Sequence, residues 1–213
     1  MNKKIFSLDA ETDGLWGNPF AIAAIVYEQQ QVITPATTRQ LSGAEMQAKY
    51  GPNEIFPHDT VRVPERVETN WVETDRFIAR LPNKIVTNSW VLENVIPTLE
   101  TIPVTHDSYE EMLRDFADFY LTHKQDTDCI CHMGYIVEAH LLREMHRLNF
   151  IGDWDAPYPL LDLSGNLQQA GENPASVDNY AKKYNLSIEN YGTTHNPLYD
   201  CEVAAKVYMH LVK

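Results

Sequence analysis

Apolar and polar residues alternate from Lys4 to Glu11, putting Phe6, Leu8 and Ala10 on one face of a predicted strand and Ile5, Ser7, Asp9 and Glu11 on the other. Thr12-Asp13-Gly14-Leu15 then turns the chain. Phe20–Glu28 predicts a second strand and Gln31–Thr37 a third, with Gln29-Gln30 as the link of a hairpin or short meander. Residues 39–105 carry Pro, Asn and charge with no steady period. Two helices, Thr74–Leu81 and Ser89–Leu99, are predicted inside them. This stretch reads as an insertion, too short to bury much core of its own. From Asp107 the pattern sharpens. Asp107 or Ser108 caps a predicted helix over Tyr109–His123, whose one face carries Met112, Phe116, Phe119 and Tyr120. A buried strand over Cys129–Met133 leads to a helix over Val137–Leu148. A strand over Leu160–Leu163 and helices over Ser164–Ala170, Val177–Tyr184 and Pro197–Val212 complete the chain. Three strands followed by strands interleaved with helices predict one mixed-sheet α/β domain over residues 1–213.

Composition agrees with that expectation. Of the 213 residues, 44% are hydrophobic and 22% charged, an ordinary globular mixture that excludes disordered and fibrous classes. Asp9 and Glu11 interrupt the first apolar run, so it does not read as a signal peptide, and no later stretch is long and apolar enough to span a bilayer. A cytoplasmic protein without a membrane partner is expected. Cys129, Cys131 and Cys201 fit neither a disulfide framework nor zinc spacing, and read as small core residues.

The formal charge of −13 argues against non-specific coating of a duplex, because proteins that live on phosphate contacts are normally basic. It leaves carboxylates available for a cation site, and a bound cation inverts the local sign of the field. Arg76, Arg80 and Lys84, spaced by four, form either a phosphate-guiding stripe or a solvated helix face.

The direction of the acids changes the picture further. An acid-x-acid pair such as Asp9-x-Glu11 is common in a chain this acidic, but here both side chains leave the same strand face, about 6.6 Å apart. On the helix over Val137–Leu148, Glu138 leads Leu141, Leu142, Met145 and Leu148 by three, four, seven and ten, so it shares the inward stripe. Asp200 leads Val203, Ala204 and Val207 by three, four and seven, while Glu202, Lys206 and Lys213 are expected to face away. An unpaired buried carboxylate costs several kcal/mol. Buried ion pairs would answer that cost, but neither inward stripe carries a Lys or Arg. A divalent cation held by oxygen ligands, hence Mg²⁺ or Mn²⁺, answers it better. Asn196 fits a helix cap and Pro197 the first helical position, leaving His195 on the preceding loop within reach of Asp200. A histidine there is either a plain surface residue or a proton acceptor for water near neutral pH.

These residues resemble a known family. Asp9-Ala10-Glu11-Thr12-Asp13-Gly14-Leu15 is similar to the first motif, D-x-E-T-x-G-L, of the DEDDh group of DnaQ-like 3′–5′ exonucleases. His195-Asn196-Pro197-Leu198-Tyr199-Asp200 resembles the third, H-x-A-x-x-D, with Pro197 where Ala is usual. The middle motif departs more. Cys131-His132-Met133-Gly134-Tyr135-Ile136-Val137-Glu138 stands against H-N-x-x-F-D, with Met for Asn, one extra residue, and Glu for Asp. Residues 39–105 lie outside the resemblance.

The resemblance implies an RNase H-like core and two-metal phosphodiester hydrolysis. It implies two Mg²⁺ ions, replaceable by Mn²⁺, held by Asp9, Glu11, Glu138 and Asp200, with His195 as general base. Thr12, Leu15, Trp16 and His132 would contact substrate, with Leu15 and Trp16 wedged against terminal bases; for Trp16 plain packing is the alternative. The implied partner is a nucleic acid 3′ end, DNA ahead of RNA, and homodimers occur among such proteins. Repair and antiphage defence are the roles such stand-alone enzymes suggest. The competing expectations are an exoribonuclease of the RNA-maturation type, a non-catalytic nucleic-acid-binding module and a plain cation-binding scaffold.

Overall fold

A computed structural model describes residues 3–51, 59–189 and 192–212. Strand β1 (Lys4–Thr12) is buried on both faces at its centre, with Ile5 and Phe6 sealed from solvent. It pairs antiparallel with β2 (Pro19–Thr34), Asp9 facing Ala23, and parallel with β6 (Asp128–Cys131), Ser7 facing Ile130. Strand β7 (Leu160–Asp162) extends the parallel side, and β5 (Arg66–Arg80) flanks β2. The order is therefore β5-β2-β1-β6-β7, a mixed sheet with helices on both faces.

Contacts divide the chain into two units, one of residues 1–28 and 71–213, the other Gln29–Asn70. In the second unit, β3 (Thr37–Gln40) and β4 (Thr60–Val63) pair antiparallel. Helix α1 (Gly43–Tyr50) begins with a capping box in which Ser42 and Glu45 satisfy each other's backbone N–H. Arg39 grips the same Glu45 carboxylate through two nitrogens.

In the first unit, Phe6, Leu8 and Ala10 pack with α3 (Tyr109–His123) and α4 (Val137–Arg147), and Phe6 sits among Phe116, Phe119 and Tyr120. The opposite face, with Ile5, Ala23, Ile25 and Ile130, is covered by α5 (Leu163–Gln169), α6 (Val177–Lys183) and α7 (Pro197–Leu211). Small side chains let α7 lie close: the Cys201 thiol reaches the Ala23 carbonyl, and Ser7 donates to the Cys201 carbonyl at 2.8 Å. All three cysteines are buried free thiols, as expected of core residues, and burial pushes their pKa upward.

Several sequence expectations are corrected. Gln29-Gln30 does not turn. Strand β2 continues through them to Thr34, because a two-residue hairpin needs residues that accept positive φ and neither Gln does so readily. Thr74–Leu81 is not a helix but the end of β5 and the residue after it. Its edge is claimed by β2, with Leu81 N–H donating to the Phe20 carbonyl, and Phe77 and Ala79 join the aromatic face. Pairing with an existing sheet outweighs the weak preference of eight residues for helix. The Arg76–Arg80–Lys84 stripe dissolves with that helix. Arg76 pairs with Glu73, and Arg80 is buried, donating to the carbonyls of Leu99 and Ile102. The second predicted helix breaks into α2 (Ser89–Asn94) and a 3₁₀ turn over Ile96–Leu99. Glu202 does not face away: α7 is covered nearly all round, and Glu202 is sealed inside, accepting the Glu189 N–H. Lys213 lies outside the described residues. Among the described residues no helix is long and apolar enough to cross a membrane.

Candidate functional site

Strand β1 outruns its parallel neighbour. Its pairing with β6 stops at Ser7, while Asp9, Ala10 and Glu11 continue past the end of β6. The crevice beyond the carboxyl ends of parallel strands is where α/β sheets commonly bind ligands. Here it is a cleft of about 320 Å³ lined by Asp9, Glu11, Glu138, Asp178, His195 and Asp200 among others.

Asp9 and Glu11 reach it from the β1 face that α7 covers. Asp200 arrives from the first turn of α7, whose start is fixed by Asn196: its side-chain oxygen accepts the N–H groups of Leu198 and Tyr199. One oxygen from each of Asp9, Glu11 and Asp200 lies within 4.8 Å of the others, close enough for a shared cation. Glu138, expected as the fourth, lines the same cleft from the first turn of α4 but stands outside that tight group. Its Oε1 instead accepts the Ala10 N–H at 3.3 Å, the group left unpaired where β6 ends.

The loop before α4 is built for that approach. A Cβ on Gly134 would sit 2.3 Å from Cys131 Sγ and 3.0 Å from Glu138 Oε2, so only glycine fits. Asp162 holds the loop by accepting the N–H groups of Met133 and Gly134, each at 3.1 Å. Burial alone would raise the Asp162 pKa, but these bonds and that from Ser164 hold it below the ordinary value.

The four acids strain one another. Burial, then the charges of Asp200 and Glu138, raise the pKa of Asp9 and of Glu11 well above the ordinary range. Burial pushes Glu138 up to about 7 against the bond from Ala10, with Asp162 adding to the rise. Burial also pushes Asp200 up to about 7, against the His195 N–H that donates to its Oδ2 at 2.9 Å. Among the described residues none of the four pairs with Lys or Arg, and the backbone N–H groups of Ala10 and His195 offset their charge only in part. A set of oxygen donors with uncompensated negative charge fits a hard divalent cation.

His195 lies at the rim with its ring half exposed and its Nδ1 4.0 Å from Glu11 Oε1. Its φ of +68° is left-handed, an uncommon state for a residue with a side chain. His132 lines the cleft but is tied to the Pro174 carbonyl through Nε2. Leu15 and Trp16 are exposed on the turn after β1, and Thr12 is buried; these three lie outside the residues lining the cleft. That turn is anchored, since the Asp13 carboxylate accepts the N–H groups of Thr87 and Asn88 at 3.0 and 2.8 Å.

Sequence reasoning misses Asp162 and Asp178, the latter a cleft acid that accepts the Tyr199 hydroxyl and raises Asp200. It also misses Trp90 and Thr98, which touch His195. Asp162 at the end of a short strand carries a signal, the cap to α5; the others meet the site only through long-range packing. Compared with known proteins, the chain matches no family model and no curated protein.

Proposed function

We propose that this protein is a divalent-metal-dependent 3′–5′ exonuclease with an RNase H-like core, cutting nucleoside monophosphates from DNA ends. The observation that carries the proposal is the convergence of Asp9, Glu11 and Asp200 within 4.8 Å, in one cleft with Glu138 and His195. The sheet order and the three sequence motifs support the same reading.

Asp9, Glu11 and Asp200 would hold the cations, with Glu138 closing the far side of the cleft. Divalent cations held there would supply positive charge against the phosphate and the departing 3′ oxygen and would acidify the attacking water. The His195 ring would accept the proton of the attacking water, and its half-exposed position gives that proton a way out to solvent. Leu15 and Trp16 offer apolar surface to terminal bases, which suits ends of any sequence.

Single and double strands of DNA and RNA, labelled separately at each end, test the proposal. Wild-type protein with Mg²⁺ is expected to shorten DNA from the 3′ end, and Asp9→Ala or Asp200→Asn to lose at least about a hundredfold in rate. Digestion unchanged by both substitutions would refute the assignment, and digestion of RNA alone would move the substrate to RNA.

A further inference from the structure

His195 sits on a loop, half exposed, in a backbone state that the chain does not adopt readily. Something must hold it, and the segment over residues 89–99 does. Thr98 Oγ1 lies 2.6 Å from the His195 carbonyl, and the Asn196 side-chain amide donates to the Thr98 carbonyl at 3.1 Å. The loop and the 3₁₀ turn over Ile96–Leu99 are thus latched in both directions. Trp90 meets the imidazole edge to face, with ring centroids 5.4 Å apart and planes at 90°. The imidazole is bounded by Glu11 Oε1 at 4.0 Å and by the indole.

The placement of Trp90 is itself determined. It stands in the first turn of α2, whose cap Asn88 is held through its backbone by Asp13, directly after β1. Gly14 in the turn has a φ of +78°, a left-handed state that favours glycine, and a Cβ there would meet Asn88 Nδ2 at 2.7 Å. Trp90 is half exposed, so core packing does not explain a residue of this size here.

We propose that Trp90 and Thr98 are positioning residues that hold the His195 imidazole over the acid cluster. Thr98 fixes the loop backbone, and Trp90 blocks rotation of the ring into solvent. This inference rests on the hydrolytic role proposed for His195. Orientation of a proton acceptor is worth much of its effect, since displacement by about 1 Å can cost a hundredfold in rate.

The test pairs steady-state kinetics on a single-stranded DNA with NMR of the His195 ring protons, assigned by their loss in His195→Ala. Trp90→Ala and Thr98→Val are expected to lower kcat by about tenfold or more with KM within about twofold. The His195 ring signals are expected to move in both variants. Trp90→Phe and Thr98→Ser keep the ring contact and the hydroxyl, and are expected to retain most of kcat. Trp90→Ala, at a half-exposed site, decides the matter if Thr98→Val fails to fold. Unchanged kcat, or a fall in kcat with unmoved His195 signals, overturns the positioning role. If the wild-type protein does not cut nucleic acid, the nuclease reading fails on its own, and the ring signals alone decide whether Trp90 and Thr98 hold His195.

Discussion

Glu138 reaches the cleft on an arm one methylene longer than aspartate, and the structure shows where that length goes. Its Oε1 takes the Ala10 N–H, and Gly134 clears the space beside its Oε2. The residue caps the open edge of β1 and faces the other acids at once. A buried carboxylate raised to about 7 by its surroundings is costly when ionised, so function and stability oppose each other here. Glu138→Gln keeps an oxygen for Ala10 and removes the charge. It is expected to stabilise the metal-free protein at pH 8 by on the order of 1 kcal/mol, and to lower Mg²⁺-dependent turnover by at least about tenfold. Thermal unfolding and rate measurements on one preparation check both halves. A destabilised variant with full activity would mean that Glu138 serves the fold alone.

Elements built from local signals are legible in the sequence. Tyr109–His123 has its Ser108 cap, its acidic first turn and its apolar stripe, and the helix occupies those residues. Asn196 and Pro197 announce α7 equally well. Helical phase also chooses Glu138 and Asp200 as inward acids, because a carboxylate three and four residues before a core position must share its face. What local pattern does not carry is the partner. Strand β5 looks helical over Thr74–Leu81 because its neighbour β2 lies some fifty residues earlier. Glu202 looks solvated because α7 is buried on a side that only the folded chain supplies. The segment at 89–99 lies outside the motifs, yet it grips His195 across nearly a hundred residues. Arg80 belongs to this class: in β5 it ties the edge of the sheet to the carbonyls of Leu99 and Ile102. Arg80→Met leaves those carbonyls without their donor and is expected to cost about 2 kcal/mol in denaturant unfolding. A loss below about 0.5 kcal/mol would show that water replaces the guanidinium.

The whole molecule carries the cost of the site as a dependence on pH. Glu138 and Asp200, with ordinary values of 4.5 and 3.8, both rise to about 7 in the folded protein, and Asp9 and Glu11 rise with them. Glu202, buried within α7 where it accepts the Glu189 N–H, is also pushed up to about 7 by burial. The folded chain therefore holds protons that the unfolded chain releases between about pH 4 and 7. Their contribution to stability is full below the ordinary carboxylate range and is lost as pH rises through about 7. Carboxylates held low by partners, such as Asp13 and Asp162, act in the opposite sense and matter only in more acidic solution. Without divalent metal, Tm is expected to fall between about pH 5 and pH 8, and Mg²⁺ is expected to restore it at pH 8 but hardly at pH 5. Scanning calorimetry at the two pH values, with and without the ion, checks this; a Tm that rises with pH in the absence of metal would contradict it.

The central claim is that Asp9, Glu11 and Asp200 share a cation in the cleft that Glu138 and His195 border. Crystals of the protein grown with Mn²⁺ and a deoxynucleoside monophosphate test it most directly through anomalous scattering. The account predicts strong peaks bonded to oxygens of Asp9, Glu11 and Asp200, beside the phosphate. Manganese bound elsewhere, with these three carboxylates bare at saturating ion, would contradict it.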